Sequence, residues 1–385
     1  MAATDRVAYL DGIRAVAIGA VLALHWFSWY VPFFHGGAVG VDVFFVLSGF
    51  IITTMLWRSP VTGTVAAAWR SFLARRVARL YPALVGLVVG CVVLYATVPW
   101  APYDASEVSR RGLLVLAQGS AVWASGQHGS FWLPGLQPFG QTWSLAIEWN
   151  FYLAWPLLVL GARARSWTAR RLSLVSLAAA ALCYAVSLPL PAFAFYFGPL
   201  ARSSELLAGA ALALACLAQD RPASSARAWR RATAAAATLA LGGIVGYTVL
   251  GPDGHSLLYR YVGMPLAVIA TVVLIHTGYR SRHSPVHRLL AHPWLATVGR
   301  YSYSLYLWHI VPFLLLEKAP GALPKPVLGL IAVGAATCLT VLSHRLLERP
   351  FLRPRNDVLG APETVGPLRP AGRGRGLNPS SAPPA

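Results

Sequence analysis

The chain consists of long apolar blocks separated by short polar stretches. A helix of about 20 apolar residues is long enough to cross the hydrocarbon core of a bilayer. On this criterion the pattern predicts spans at 12–31, 38–57, 82–100, 144–161, 172–190, 201–218, 231–250, 257–277, 301–317 and 325–347. The expected fold class is therefore all-α, a polytopic transmembrane bundle of about ten helices.

Two segments do not fit the pattern of full-length spans. Residues 112–123 (GLLVLAQGSAVW) are apolar but too short for a crossing, so they are expected to be an interfacial or re-entrant piece. Residues 351–385 are rich in proline, glycine and arginine, a composition typical of a disordered tail. The predicted organisation is a membrane domain over 1–350 and a cytoplasmic tail over 351–385.

Composition and charge agree with a multi-pass protein of the cell membrane. Hydrophobic residues make up 56% of the chain and charged residues 12%, while the net charge is +19. The basic residues concentrate in alternate loops (58–80, 162–171, 219–230 and 278–300), which predicts cytoplasmic loops and two cytoplasmic termini. This distribution argues against nucleic-acid binding. The four cysteines lie within apolar blocks, so neither disulfides nor a metal site is expected.

His25 lies near the middle of the first predicted span. A polar group in the membrane interior costs free energy, so it is a candidate functional residue. Arg14 precedes it by eleven positions, which on a helix amounts to about 1100° and a rise of about 16.5 Å. The two residues are therefore expected on one face, with Arg14 near the cytoplasmic surface. The alternative is a neutral histidine that bonds a neighbouring helix.

Carboxylates occur in two other predicted spans. Asp42 and Glu148 both lie toward the outer half of the membrane in this topology. Each is a candidate catalytic residue, and each could instead form an interhelical hydrogen bond or ion pair. Glu205 and His309 are further polar residues within or at the ends of spans, and their pattern favours a structural role.

The segment 71–82 (SFLARRVARLYP) is rich in arginine. On a short helix ending at Pro82, three arginines would form one basic face: Arg75, Arg76 and Arg79. Guanidinium groups bind phosphates through forked, charge-assisted hydrogen bonds. The alternative is that these charges only fix membrane topology or contact lipid headgroups.

Several separated motifs, taken together and in order, resemble the acyltransferase-3 family of polytopic membrane acyltransferases. They are YLDGIRAVAIGAVLALH, GVDVFFVLSGFIIT, the RRVAR loop followed by LYP, QTWSLAIEWNFY, SSELLAGAAL and YSYSLYLWH. Members of the family modify sugars of surface polysaccharides, peptidoglycan and glycolipids, and natural products such as macrolides. The resemblance implies that His25 is catalytic and that Arg76 and Arg79 serve the acyl donor.

The residues and the resemblance together predict a membrane O-acyltransferase that transfers an acyl group, with acetyl favoured, from acyl-CoA to a carbohydrate hydroxyl. The acceptor would be an envelope glycan or glycolipid, or a glycosylated small molecule such as a macrolide. His25 is expected to act as general base, with Asp42 or Glu148 orienting it. Three arginines are expected to hold the coenzyme A nucleotide at the cytoplasmic side: Arg14, Arg76 and Arg79.

The main alternative is a proton-coupled transporter or exporter of small molecules. Intramembrane histidine, aspartate and glutamate residues can form a proton relay. The sequence shows no internal repeat and no paired broken helices, both of which are common in such transporters. These observations favour the enzyme.

Overall fold

The apolar blocks of the sequence form helices. The structure is a computed structural model that describes residues 4–28, 31–60, 63–219, 227–280, 284–320 and 323–351. All regular elements within these ranges are helical, which confirms the all-α prediction. The loop arginines Arg221 and Arg282 and the predicted tail from residue 352 onward lie outside the described residues.

Fifteen α-helices make up the described part of the chain. They are α1 (Thr4–Phe27), α2 (Val39–Arg58), α3 (Val65–Thr97), α4 (Ala105–Leu116), α5 (Ser120–Ser125), α6 (Trp143–Ala164), α7 (Ala169–Ser187), α8 (Ala192–Phe197), α9 (Pro199–Ala218), α10 (Arg227–Leu250), α11 (Met264–Arg280), α12 (Pro285–Leu290), α13 (Pro293–Trp308), α14 (Val311–Glu317) and α15 (Lys325–Ser343). Short 3-10 helices occupy His35–Ala38, Pro134–Leu136, Gly140–Thr142 and Arg349–Phe351, and π-helices occupy Tyr259–Gly263 and His344–Glu348.

Nine helical segments in the described ranges are long and apolar enough to cross a membrane, against the ten predicted. The difference is the predicted span 301–317, which the structure divides into α13 and α14. Pro312 has no amide hydrogen to donate to the carbonyl of Trp308, so one helix ends at Trp308 and the next begins at Val311. His309 lies in this break.

The arginine-rich segment does not form the expected short helix ending at Pro82. It is the first part of α3, a continuous helix of 33 residues that runs through Pro82 to Thr97. A proline inside a helix removes one hydrogen bond, here to the carbonyl of Ala78, and the remaining bonds on both sides hold the helix together. The arginines are therefore attached rigidly to a membrane span.

The segment 112–123 belongs to α4 and α5, which are 12 and 6 residues long. Neither helix is among the nine candidate spans. This agrees with the expectation that the segment does not cross the membrane.

Hydrogen bonds between helix termini define two ends of the bundle. The start of α1 lies against the end of α11, because the Tyr9 hydroxyl donates to the carbonyl of Ile275 at 3.3 Å. The end of α1 lies against the end of α13, because Trp26 Nε1 donates to the carbonyl of His309 at 3.0 Å. We call the end where α1 begins the arginine end, and the end where α1 finishes the histidine end.

Close contact between α2 and α9 sets the positions of the polar groups on both helices. A Cβ atom at Gly49 would lie 1.9 Å from the carbonyl oxygen of Leu206, and one at Gly209 would lie 1.9 Å from that of Val46. Only glycine allows the two backbones to approach this closely.

Candidate active site

His25 lies in the last turn of α1, where it lines a cavity at the histidine end. Its Nδ1 atom is 2.8 Å from the carbonyl oxygen of Val21 and 3.3 Å from Nε2 of His309. The edge of its ring meets Trp132, with centroids 5.3 Å apart. His25 therefore has a fixed orientation in which Nδ1 is bonded within the protein.

The hydrogen bonds of the two histidines determine which nitrogen atoms carry protons. His309 Nδ1 is 2.8 Å from the carbonyl of Tyr306 and must donate to it, because a carbonyl oxygen only accepts. In the neutral ring, Nε2 of His309 is then an acceptor facing His25. His25 Nδ1 donates to the Val21 carbonyl and toward His309, so Nε2 of His25 holds the free lone pair. Among the described residues this Nε2 has no hydrogen-bond partner, and it is available to the cavity.

Asp42 does not contact His25, in contrast to one expected arrangement. Its carboxylate is fully buried and lies 2.6 Å from the guanidinium of Arg202 on α9. The Tyr259 hydroxyl reaches both Asp42 oxygens, at 2.7 and 2.9 Å, and Glu205 binds the same guanidinium at 2.6 Å. Asp42 therefore forms the interhelical ion pair that the sequence left open as the alternative, and Glu205 has the structural place expected of it.

Glu148 also lies away from His25. Its carboxylate accepts hydrogen bonds from the Ser48 hydroxyl at 2.5 Å and the Tyr152 hydroxyl at 2.8 Å. It lines a second cavity, toward the arginine end. The expected carboxylate partner of His25 is thus replaced by His309, because the helices that carry Asp42 and Glu148 turn these groups toward other neighbours.

The three arginines expected to bind the acyl donor all line this second cavity, whose volume is about 110 Å³. Arg76 is buried on α3 with its guanidinium over the rings of Phe72 and Tyr152, 5.1 and 5.5 Å from their centroids. Further arginines of the lining are Arg14, Arg79 and Arg300.

Arg75 does not join this group, so the single basic face predicted for the segment is wrong in that respect. Its side chain is exposed and bonds the Ser71 hydroxyl at 2.5 Å. Arg300 is a basic residue of the cavity that sequence reasoning assigned only to topology. Its position directly before the YSYSLYLWH motif is the signal that could have marked it.

The two cavities share part of their lining. Val41 and Tyr306 border both the cavity of His25 and the cavity of the arginines. The Tyr306 hydroxyl lies 2.7 Å from the Ser144 hydroxyl and donates to the carbonyl of Gln141 at 2.8 Å. The side chains of Val41 and Tyr306 thus form a wall between the cavity that four arginines line and the cavity that His25 lines.

Sequence reasoning did not foresee the contact between His309 and His25. The sequence favours a structural role for His309, and among the described residues its side chain is the only one with a hydrogen bond to His25. The signal was a second histidine at the end of an apolar span, followed two residues later by a proline-marked helix start. No group of three or more histidine, cysteine, aspartate or glutamate side chains in the described ranges is arranged to hold a metal ion.

Comparison with known sequences identifies the protein family to which the chain belongs. Residues 7–345 match the profile of the family described as "Acyltransferase domain", Acyl_transf_3. The match covers most of the chain, which therefore belongs to this family, and the resemblance seen in the motifs is confirmed. With nine candidate spans within the described residues, the chain is a multi-pass membrane protein.

Individual relatives carry names that refer to O-acetylation. The chain is 32% identical over 368 residues to the putative peptidoglycan O-acetyltransferase YrhL of Bacillus subtilis, covering 89% of this chain and 54% of that protein. It is 28% identical over 357 residues to the peptidoglycan O-acetyltransferase OatA of Listeria monocytogenes (89% and 55%). It is 29% identical over 361 residues to the O-acetyltransferase OatA of Staphylococcus aureus (89% and 56%). The chain spans about half the length of these relatives. No solved structure matches it.

Proposed function

We propose that the chain is a membrane O-acyltransferase that transfers an acetyl group from acetyl-CoA to a hydroxyl of a carbohydrate. The observation that carries the proposal is the free Nε2 of His25, which faces a cavity that adjoins the arginine-lined cavity across Val41 and Tyr306. The names of the relatives support a glycan of the cell envelope as acceptor. A sugar on a natural product such as a macrolide is the second acceptor to test.

The arginine cavity, with a volume of about 110 Å³, suits a phosphate group of the coenzyme A nucleotide. Its phosphates are anions that guanidinium groups bind through two parallel hydrogen bonds. Arg76 is buried against two aromatic rings, so little side-chain entropy is lost when it binds a phosphate. Arg14 and His25 are separated along α1 by a rise of about 16.5 Å. This distance is comparable to the pantetheine arm, which would carry the thioester toward His25.

His25 suits the role of general base. The acceptor hydroxyl gives its proton to Nε2 while its oxygen attacks the thioester carbonyl carbon. The C–O bond forms, the C–S bond breaks, and the departing thiolate takes the proton from Nε2 to leave free coenzyme A. The positive charge that His25 carries between these two steps is stabilised by the Val21 carbonyl and by Nε2 of His309.

The first experiment measures transfer of label from radiolabelled acetyl-CoA to peptidoglycan fragments by the purified chain. We expect transfer by the wild type and a loss of at least about a hundredfold in His25→Ala, the lower range for a general base. His128→Ala is the matched control, because His128 is exposed and lines neither cavity. Wild-type turnover in His25→Ala would contradict the assignment, and solute flux without label transfer would favour the transporter.

A second experiment tests the arginine cavity as the donor site. The double variant Arg76→Ala and Arg79→Ala should raise the KM for acetyl-CoA while the KM for the acceptor stays unchanged. Arg75→Ala removes a neighbouring charge from the same helix without touching the cavity, so it should leave both values as in the wild type. Equal effects of the three alanine substitutions would mean that these arginines act through membrane topology.

A further inference from the structure

Three polar residues lie at the mouth of the cavity that His25 lines, which we call the histidine cavity, and none of them takes part in the proposed acetyl transfer. Asp253, in the connection between α10 and α11, lies 3.3 Å from His35 Nδ1 through one oxygen and 3.7 Å from His255 Nε2 through the other. The three side chains are between 42% and 50% exposed and line the same cavity as His25. A carboxylate with exposed imidazoles on either side offers acceptors and donors to a ligand that enters this mouth.

Aromatic rings form one wall of the same cavity. Phe131 packs against His255, with centroids 4.8 Å apart, and against Tyr196 at 5.5 Å. The next residue, Trp132, reaches the ring of His25. The aromatic wall therefore extends continuously from the polar mouth to the catalytic nitrogen.

The position of Asp253 is fixed by its neighbour in the chain. A Cβ atom at Gly254 would lie 2.3 Å from a ring carbon of Tyr196, so the connection packs directly on the aromatic wall. An exposed ion pair such as that of Asp253 with His35 contributes little to stability. Its placement over the cavity is thus better explained by ligand contact than by folding.

These features match the chemistry of a sugar ring, which has apolar C–H faces and an edge of hydroxyl groups. Aromatic rings pack on the faces, and a carboxylate accepts hydrogen bonds from two neighbouring hydroxyls. The cavity volume of about 250 Å³ is somewhat below the range of about 300–1,000 Å³ that encloses drug-sized ligands, so a single ring fills it. We propose that Phe131, Trp132, Asp253 and His35 form an acceptor subsite that binds one pyranose ring of the glycan and directs a hydroxyl to Nε2 of His25.

This inference rests on the proposed function, since it names the acceptor site of that reaction. The position of the subsite also determines where the acceptor enters the protein. The mouth lies at the histidine end, opposite the arginine cavity, so the donor and the acceptor reach the wall of Val41 and Tyr306 from opposite ends of the bundle.

The test uses the purified full chain, saturating acetyl-CoA and the N-acetylglucosamine–N-acetylmuramic acid disaccharide as acceptor. Asp253→Asn should raise the acceptor KM about tenfold, the loss expected for one charge-assisted hydrogen bond. Phe131→Leu should raise it about three- to tenfold, because it removes the aromatic face on which the sugar ring packs. The KM for acetyl-CoA should stay unchanged, because neither residue lines the arginine cavity. The matched control is Asp104→Asn, an exposed acid that lines neither cavity. An unchanged acceptor KM in both subsite variants would overturn the proposal.

A binding measurement separates this inference from the proposed reaction. Saturation-transfer NMR detects binding of the disaccharide to the chain in the absence of acetyl-CoA. Binding by the wild type that is weakened in Asp253→Asn supports the subsite even if no acetyl transfer occurs. Binding that Asp253→Asn and Phe131→Leu leave unchanged overturns the subsite even if acetyl transfer is observed.

Discussion

His309 should be required for full catalytic rate although it does not face the acceptor. In the wild type its Nε2 lies 3.3 Å from His25 Nδ1 and accepts a hydrogen bond from it. His309→Phe keeps a ring in this fully buried position but removes the acceptor. His309→Gln retains an amide oxygen near the place of Nε2. The pair of substitutions therefore separates the hydrogen bond from the packing.

The size of the effect follows from the charge that His25 would acquire in the proposed reaction. A hydrogen bond to a charged group contributes about 1.5–3 kcal/mol, whereas one between neutral groups contributes about 0.5–1.5 kcal/mol. The neutral ground state keeps the Val21 carbonyl as partner, so most of the loss appears only when the ring is charged. Because each 1.36 kcal/mol is a factor of ten in rate, His309→Phe should lower kcat about ten- to a hundredfold.

The assay is steady-state acetyl transfer with both substrates varied. We expect His309→Phe to lower kcat with both KM values close to wild type, and His309→Gln to recover most of the rate. Thermal unfolding in detergent checks that both variants are folded. Equal losses in the two variants, or no loss in folded His309→Phe, would refute the role of His309 as hydrogen-bond acceptor.

Two further predictions concern stability and orientation. Arg202→Met leaves two buried carboxylates without their cation and should destabilise the bundle by about 3–5 kcal/mol. Thermal unfolding measures this loss, and the exposed Arg171→Ala, as control, should not change the unfolding temperature. An unchanged unfolding temperature in Arg202→Met would mean that the ion pairs of Arg202 do not contribute to stability. In a background without the accessible native cysteines, Ser71→Cys should react with impermeant thiol reagents only in inverted vesicles and Ser130→Cys only from outside the cell. Labelling of position 130 from the cytoplasm would contradict the predicted topology.

Most of the spans could be predicted because a membrane helix depends on local pattern. The position of His25 within its span was wrong, because α1 ends at Phe27 and not at residue 31, so His25 lies in the last turn and not near the middle. A bilayer requires long apolar helices whatever their partners, and the spacing of Arg14 and His25 fixes their relation on one helix. The same argument failed within α3. It placed Arg75 with Arg79, whereas packing buries Arg76 and turns Arg75 outward.

The partners of the polar groups could not be predicted, because they lie on distant parts of the chain. His25 and His309 are 284 positions apart, and Asp42 and Arg202 are 160 apart. Spacing within one helix says nothing about which neighbouring helix faces it. That choice depends on contacts such as Gly49 against Leu206, which rotate α2 so that Asp42 meets α9 rather than α1.

The wall between the two cavities would let a membrane acyltransferase use substrates from both sides of the bilayer without opening a pore. A continuous polar path across the bilayer would pass ions and would expose the thioester to water. Here the Tyr306 hydroxyl is bonded to Ser144 and to the Gln141 carbonyl, and the side chain of Val41 is the second that borders both cavities. Under the proposed function only the thioester end of the pantetheine arm has to pass this wall. The nucleotide and the sugar, the two most polar parts of the substrates, then stay at opposite ends of the bundle throughout the reaction.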